Sequence, residues 1–222
     1  MTIEVSAFAW APPFAQGLVR DLRVRWALEE VGLPYVERAI KLGEHTAPDY
    51  LAVQPFGQIP AYQEDGLTLF ESGAIVLHIA ERSEVLLPLD PKKRARTKTW
   101  MFAALNSVEP PIMFLNYLQM VGGTEAAVLA KPITEWAQLR LRGLATQLEA
   151  REYLEDQFTA GDLLMTTVLR ILRTTDLLST LPALVAYQAR CEARPAFQKA
   201  LRDHMATFQI NQPVPSQSGT QA

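Results

Sequence analysis

The sequence predicts an α/β unit followed by an all-helical region, and three observations carry that prediction. The first eighty residues alternate short apolar runs with helix-like stripes, in the order β-α-β-α-β-β-α. A proline-marked stretch from Leu86 to Lys93 then breaks the alternation. Beyond it no strand-like run returns, and Ile133, Trp136, Ala137, Leu141, Leu144, Ala145 and Leu148 share one helix face. The expected organisation is therefore a first domain over 1–83, a linker over 84–90 and a helical domain over 91–210. Residues 211–222, rich in Pro, Ser, Gln and Gly with little apolar content, are expected to be a disordered tail.

Each element has a local reason. Ile3 to Ala9 is short, apolar and closed by Ala11-Pro12-Pro13, which reads as a buried strand entering a loop. Ala15, Leu18, Val19, Leu22 and Trp26 recur with the spacing of an amphipathic helix stripe. Gly32 stands where a C-cap belongs, with Pro34 just beyond it. Tyr35 to Ile40 reads as a second strand, and a short helical piece follows near Pro48 to Val53. Two further strands, Ile59 to Gln63 and Leu67 to Phe70, flank Glu64-Asp65-Gly66, and Asp-Gly is a hairpin turn signal. Ser72 is expected to cap a helix that carries Ile75, Leu77, Ile79 and Ala80.

Composition excludes several functions. The 222 residues suffice for two small domains with a sizeable core. Lys+Arg 21 against Asp+Glu 24 gives a net charge of -3, with no basic excess to neutralise a phosphate backbone, so nucleic acid is not an expected partner. A single cysteine, Cys191, rules out an internal disulfide framework. His45, His78 and His204 lie far apart, so no metal is expected. The N-terminus lacks a positive segment and Glu4 interrupts its apolar run, which argues against a secretory signal. No apolar stretch reaches the ~20 residues that span a bilayer. A cytoplasmic location without membrane attachment is the expectation.

Two motifs in the α/β unit suggest ligand chemistry. Pro60 enters a strand from a loop after Gln58 and Ile59. A cis bond there would turn the Ile59 backbone outward to pair with an extended peptide, whereas a trans proline at a strand start is equally permitted. In Phe70-Glu71-Ser72-Gly73, a serine opens a helix beside an acid. Free amides at a helix N-terminus suit a carboxylate and Glu71 suits an ammonium, a pairing that fits an α-amino acid. A third motif, Phe158-Thr159-Ala160-Gly161-Asp162, has capping-box spacing and reads as structural.

Together with Arg23-Val24-Arg25-Trp26-Ala27-Leu28-Glu29-Glu30, Gln54-Pro55-Phe56-Gly57-Gln58-Ile59-Pro60 and Arg194-Pro195-Ala196-Phe197, these motifs occur in a familiar order. Over residues 1 to 208 the chain resembles the cytosolic glutathione S-transferases, of bacterial type with the class open. The resemblance implies a thioredoxin-like N-terminal domain that holds glutathione as co-substrate. It also implies an all-helical domain facing a hydrophobic small molecule, and a homodimer active in detoxification. Carried over, Ile59 pairs with the cysteinyl part of glutathione across a cis bond to Pro60. Glu71 and Ser72 hold the γ-glutamyl ammonium and carboxylate, and Gln58 adds a polar contact.

The catalytic group is the open point. Members of this family lower the pKa of the glutathione thiol through a Tyr or Ser hydroxyl, or a Cys, after the first strand. Ala7 to Val19 contains no Tyr, Ser, Thr or Cys, and Ser6 lies inside the strand. Three possibilities stand: backbone amides near Gln16 and Gly17 at the first helix's start, the indole N–H of Trp10, or no activation. The leading function is transfer of the glutathione thiolate to a hydrophobic electrophile. A glutathione-dependent reductase or peroxidase and a non-catalytic carrier on the same fold are the alternatives. Cys191, in the helical half, reads as an inert apolar residue.

Overall fold

In a computed structural model that describes residues 2–213, four strands form one mixed sheet in the order β2-β1-β3-β4. Strand β1 (Ile3–Phe8) runs parallel to β2 (Tyr35–Ile40) and antiparallel to β3 (Ala61–Glu64), which pairs antiparallel with β4 (Leu67–Phe70). The turn between β3 and β4 has Asp65 and Gly66 both at positive φ, as the Asp-Gly pair led one to expect. Helix α1 (Asp21–Val31) follows β1, α2 (Pro48–Leu51) follows β2, and α3 (Ser72–Ala80) follows β4. Gly32 ends α1 in the left-handed conformation and returns its N–H to α1 carbonyls, the C-cap role read from the sequence.

Beyond α3, every further element among the described residues is helical. α4 (Pro91–Ala103) starts with Pro91 in its first turn and Asp90 accepting from the Lys93 N–H at 2.8 Å. One turn of π-helix, Ala104–Val108, joins α4 to α5 (Glu109–Val121). Then come α6 (Gly123–Leu148), α7 (Ala160–Leu169), α8 (Pro182–Glu192) and α9 (Pro195–Ile210). The predicted face from Ile133 to Leu148 is helical, and α6 continues N-terminally through Pro132. The expected tail lies, from residue 214 onward, outside the described residues.

One apolar core joins the sheet layer to the helices. Trp26 on α1 is fully buried, with ring centroids 4.7 Å from Phe197 on α9 and 5.5 Å from Phe158 ahead of α7. The capping box forms as predicted: Thr159 accepts from the Gly161 N–H while Asp162 accepts from the Thr159 N–H at 2.9 Å. Asp162 also accepts from the Leu154 N–H and the Tyr187 hydroxyl, so it ties α7 to the preceding loop and to α8.

Two expectations need correction. The first helix begins at Asp21, and Ala15, Leu18 and Val19 lie in a chain of turns rather than on it. Gly17 at φ 75 breaks the helical path, and the loop carbonyls bond to the opposite helices. Arg173 donates to the carbonyls of Phe14 and Gln16, both at 2.9 Å. On the other side, His204 on α9 accepts the Gly17 N–H at 3.3 Å. The second correction concerns Ser72, which is the first helical residue of α3. Glu71 occupies the cap position, with no side-chain capping bond.

Candidate functional site

Two adjoining cavities of about 330 and about 370 Å3 open where the sheet layer meets α5. They share Arg20, Arg23, Gln58, Ile59, Glu109 and Met113. The first is walled mainly by apolar side chains, including Phe8, Phe14, Leu18, Val19 and Ile171. The second adds Gln54, Pro60, Glu71, Ser72 and Asn106 and is polar. All five predicted residues, Gln58, Ile59, Pro60, Glu71 and Ser72, line this second cavity. Met113 lines both cavities, while Phe114 is half exposed against Trp136.

The wall around Ile59 is built by short-range hydrogen bonds. Buried Gln54 accepts the Phe56 and Gln58 N–H groups at 2.8 and 3.1 Å, folding Pro55 to Gly57 into a turn. The Tyr50 hydroxyl donates to the Gln58 carbonyl at 2.8 Å. Ser6 accepts the Ala61 N–H at 2.6 Å and bonds Tyr50 at 2.8 Å, so its hydroxyl is spent inside the sheet layer. The Ile59-Pro60 bond is cis. The Ile59 side chain packs with Ile40, Tyr50 and Ala61, and its N–H and C=O bond nothing among the described residues. A backbone donor and acceptor are thus open on a cavity wall, as an added strand requires.

Glu71 and Ser72 form the other end. Glu71 has φ 69, a conformation that costs a non-glycine residue about 1–2 kcal/mol and concentrates at functional sites. Ser72 accepts a hydrogen bond from Arg23 Nη1 at 3.2 Å. Arg23 is 3% exposed, and all three of its nitrogens are bonded, since its Nε donates to Thr167 Oγ1 and its Nη2 to Glu109 Oε1. Arg20 donates to the same Glu109 oxygen at 2.7 Å. Burial works to raise the Glu109 carboxyl, but the two guanidinium groups outweigh it and hold it below the usual glutamate range. The π-helical turn before α5 brings Asn106 and Glu109 to this wall. A Cβ on Gly73 would meet the tip of the Leu105 side chain of that turn, which would have to shift.

The structure moves the proposed thiol-activating groups. Gly17 gives its N–H to His204 and Gln16 gives its N–H to the Pro12 carbonyl, so neither amide is free. The N–H groups of Val19, Arg20 and Asp21, at the true start of α1, bond nothing among the described residues. Trp10 is not part of either cavity wall. Among the described lining residues, Ser72 carries the one hydroxyl and no thiol is present. Cys191 is fully buried, and burial pushes its thiol up to about 12.

Sequence reasoning missed Arg20, Arg23, Gln54, His45 and Glu109 as site residues. Arg23 and Gln54 stood inside quoted motifs without a role, and Glu109 carried no local signal. His45 lines the apolar cavity at the end away from Glu71. Its Nδ1 accepts the Gly43 N–H at 3.2 Å, so the neutral ring keeps its proton on Nε2 as a donor.

Comparison with known proteins places the chain. Residues 16–81 match the profile described as glutathione S-transferase, N-terminal domain. Glutathione S-transferase PARB of Nicotiana tabacum is 31% identical over 185 residues, covering 78% of this chain and 87% of its own. The chain belongs to the glutathione S-transferase family. The structure of glutathione transferase F7 from Populus trichocarpa aligns with TM-score 0.79 and 27% identity, over 92% of this chain and 99% of that one. A glutathione S-transferase-I bound with lactoylglutathione aligns with TM-score 0.74 and 27% identity, over 91% and 99%. These relatives include plant proteins, and the bacterial type expected from the sequence is not supported. The family's N-terminal fold, a four-stranded sheet with its helices, is the one described above. Among the described residues no helix is long and apolar enough to cross a membrane.

Proposed function

We propose that this chain is a glutathione transferase that lays reduced glutathione along the shared cavity wall and presents its sulfur to the apolar cavity. The observation that carries this reading is the open N–H and C=O of Ile59 between the two cavities, with Glu71 and Ser72 at one end. The cysteinyl unit pairs with Ile59 as an added strand. The γ-glutamyl ammonium goes to Glu71, and its carboxylate goes to Ser72 and the first-turn amides of α3. Gln58 and the His45 N–H face the glycyl end. A relative of 27% identity holds lactoylglutathione, which supports a glutathione-shaped cleft in this fold.

In the reaction the thiol proton is lost to solvent, and the sulfur lone pair forms a C–S bond. The leaving group departs with its own bonding pair. The electrophile sits against Phe8, Phe14, Leu18 and Ile171, so it is small and hydrophobic. Cys191 is too buried to serve a cysteine-based reductase. A substrate panel tests this reading. Glutathione-dependent chloride release from a chlorinated aromatic is expected. Turnover of only a hydroperoxide or a mixed disulfide would overturn it in favour of a reductase, and turnover of nothing would leave a carrier.

We place the protein in the cytoplasm as a homodimer with a role in detoxification. Supporting the dimer, Phe56, Phe70 and Phe102 are exposed, and Phe102 borders an apolar hollow with Leu77, Met101 and Leu105. Exposed aromatic side chains of this kind suit an interface between two copies of the chain. Sedimentation should give the mass of two chains, and Phe102→Glu should give that of one.

A further inference from the structure

We infer that Arg20 is the catalytic residue that stabilises the glutathione thiolate in this protein, taking the place of the absent hydroxyl. The inference rests on the glutathione reading above and names the group that completes the same site. Three observations point to Arg20.

Arg20 and Ile59 line both cavities, so this side chain stands where they join. A cysteinyl unit paired with Ile59 places its sulfur at that junction. Two guanidinium groups there share a single carboxylate oxygen, Glu109 Oε1, at 2.7 and 3.0 Å. Glu109 is the one carboxylate hydrogen-bonded to both, and Glu71 acts on Arg23, so Arg20 is the guanidinium left most open to an anion at the junction. The two arginines also differ in freedom. Arg23 is 3% exposed on its side chain and spends donors on Thr167, Ser72 and Glu109. Arg20 is 43% exposed on its side chain and spends one donor of five, on Glu109.

Other charged groups face this position without replacing it. Glu109 from α5 and Arg23 from α1 complete the pair, and Glu71 lies ahead of α3 at the ammonium end. His45 lines the apolar cavity from the segment between β2 and β3, where its Nδ1 accepts the Gly43 N–H. The free amides of Val19, Arg20 and Asp21 add a partial positive charge of the same sign, fixed in the backbone. The step itself is an ionisation: the S–H bond breaks, its proton passes to water at the cavity mouth, and the electron pair stays on sulfur beside the guanidinium.

The test is the thiolate absorbance of bound glutathione, titrated from about pH 5 to about pH 9 in wild type, Arg20→Gln and Arg20→Lys. An opposite charge within a few ångströms lowers a pKa by roughly 1–3 units. The wild-type midpoint should lie below that of free glutathione, Arg20→Gln should raise it by about one unit or more, and Arg20→Lys should restore most of the difference. Binding of S-methylglutathione, whose sulfur cannot ionise, should change less than about threefold in Arg20→Gln, since only the ionised sulfur uses the charge. An Arg20→Gln midpoint equal to wild type would overturn the proposal and leave the backbone amides as the activator. A wild-type midpoint at the free-thiol value would overturn it as well, with glutathione binding still intact. Failure of S-methylglutathione to bind wild type would instead remove the glutathione reading itself.

Discussion

Asp162→Ala is expected to lower the stability of the folded chain by about 3–5 kcal/mol, among the largest single-residue effects in the molecule. The carboxylate is fully buried and accepts from four donors. One oxygen takes the Leu154 N–H and the Tyr187 hydroxyl, at 2.9 and 3.0 Å. The other takes the Thr159 N–H and hydroxyl at the same two distances. Burial pushes the Asp162 carboxyl above the usual aspartate range, even though the Leu154 and Thr159 amides favour its charged form. That desolvation offsets part of the gain from the bonds. Removing the side chain still strands buried donors on two backbone segments and on Tyr187, at roughly 1–3 kcal/mol for each unsatisfied group. Loss of the helix start adds about 1 kcal/mol. Asp162→Asn keeps one acceptor oxygen and should cost less. Denaturant unfolding of the three proteins checks the order, and a loss below about 1 kcal/mol in Asp162→Ala would contradict the bonding described.

Glu109→Ala should cost about as much, for an electrostatic reason. It would leave Arg23 buried without its carboxylate, and stranding one partner of a buried ion pair costs about 3–5 kcal/mol. In a chain of this size that is a fall in melting temperature of roughly 10 °C or more. Glu109→Gln retains an acceptor for Arg20 and Arg23 and separates charge from hydrogen bonding. The folded Glu109 carboxyl lies below its ordinary value of 4.5, because the two arginines outweigh the cost of burial. A depressed acid contributes stability at pH above its unfolded value and loses it as pH falls through the folded value. The stability gap between wild type and Glu109→Gln should therefore be full near neutral pH and close below about pH 4.5. A gap that stays constant down to acid pH would mean that the carboxylate charge does not matter there.

What the sequence made legible, and what it hid, follows the range of the interactions. The Thr159-Asp162 box, the Asp65-Gly66 turn and the Gly32 cap are set by residues four or fewer positions apart, and each appears as expected. Gln58, Ile59 and Pro60 come to one cavity wall because short bonds from Gln54 and Tyr50 shape their loop, and the β3-β4 hairpin brings Glu71 and Ser72 to the same cavity. The stretch from Ala15 to Val19 looked helical because its apolar spacing is helical. Its conformation is decided by Gly17 and by Arg173 and His204, more than 150 residues away in sequence. Glu109 was invisible for the same reason, since its partners lie 86 and 89 residues earlier. Ser72 was read as a cap because nothing local shows that Glu71 takes the positive φ and the cap position instead.

The central claim is that the open Ile59 backbone, Glu71 and Ser72 form a glutathione site, and titration calorimetry with reduced glutathione addresses it most directly. Wild type should give saturable heat with one equivalent per chain at up to millimolar ligand, where binding free energies are about −4 kcal/mol or stronger. Ser72→Ala should weaken that binding by about 1–3 kcal/mol while the protein stays folded, as expected for a lost hydrogen bond to a charged group. Absence of saturable heat from the folded wild-type protein would contradict the account.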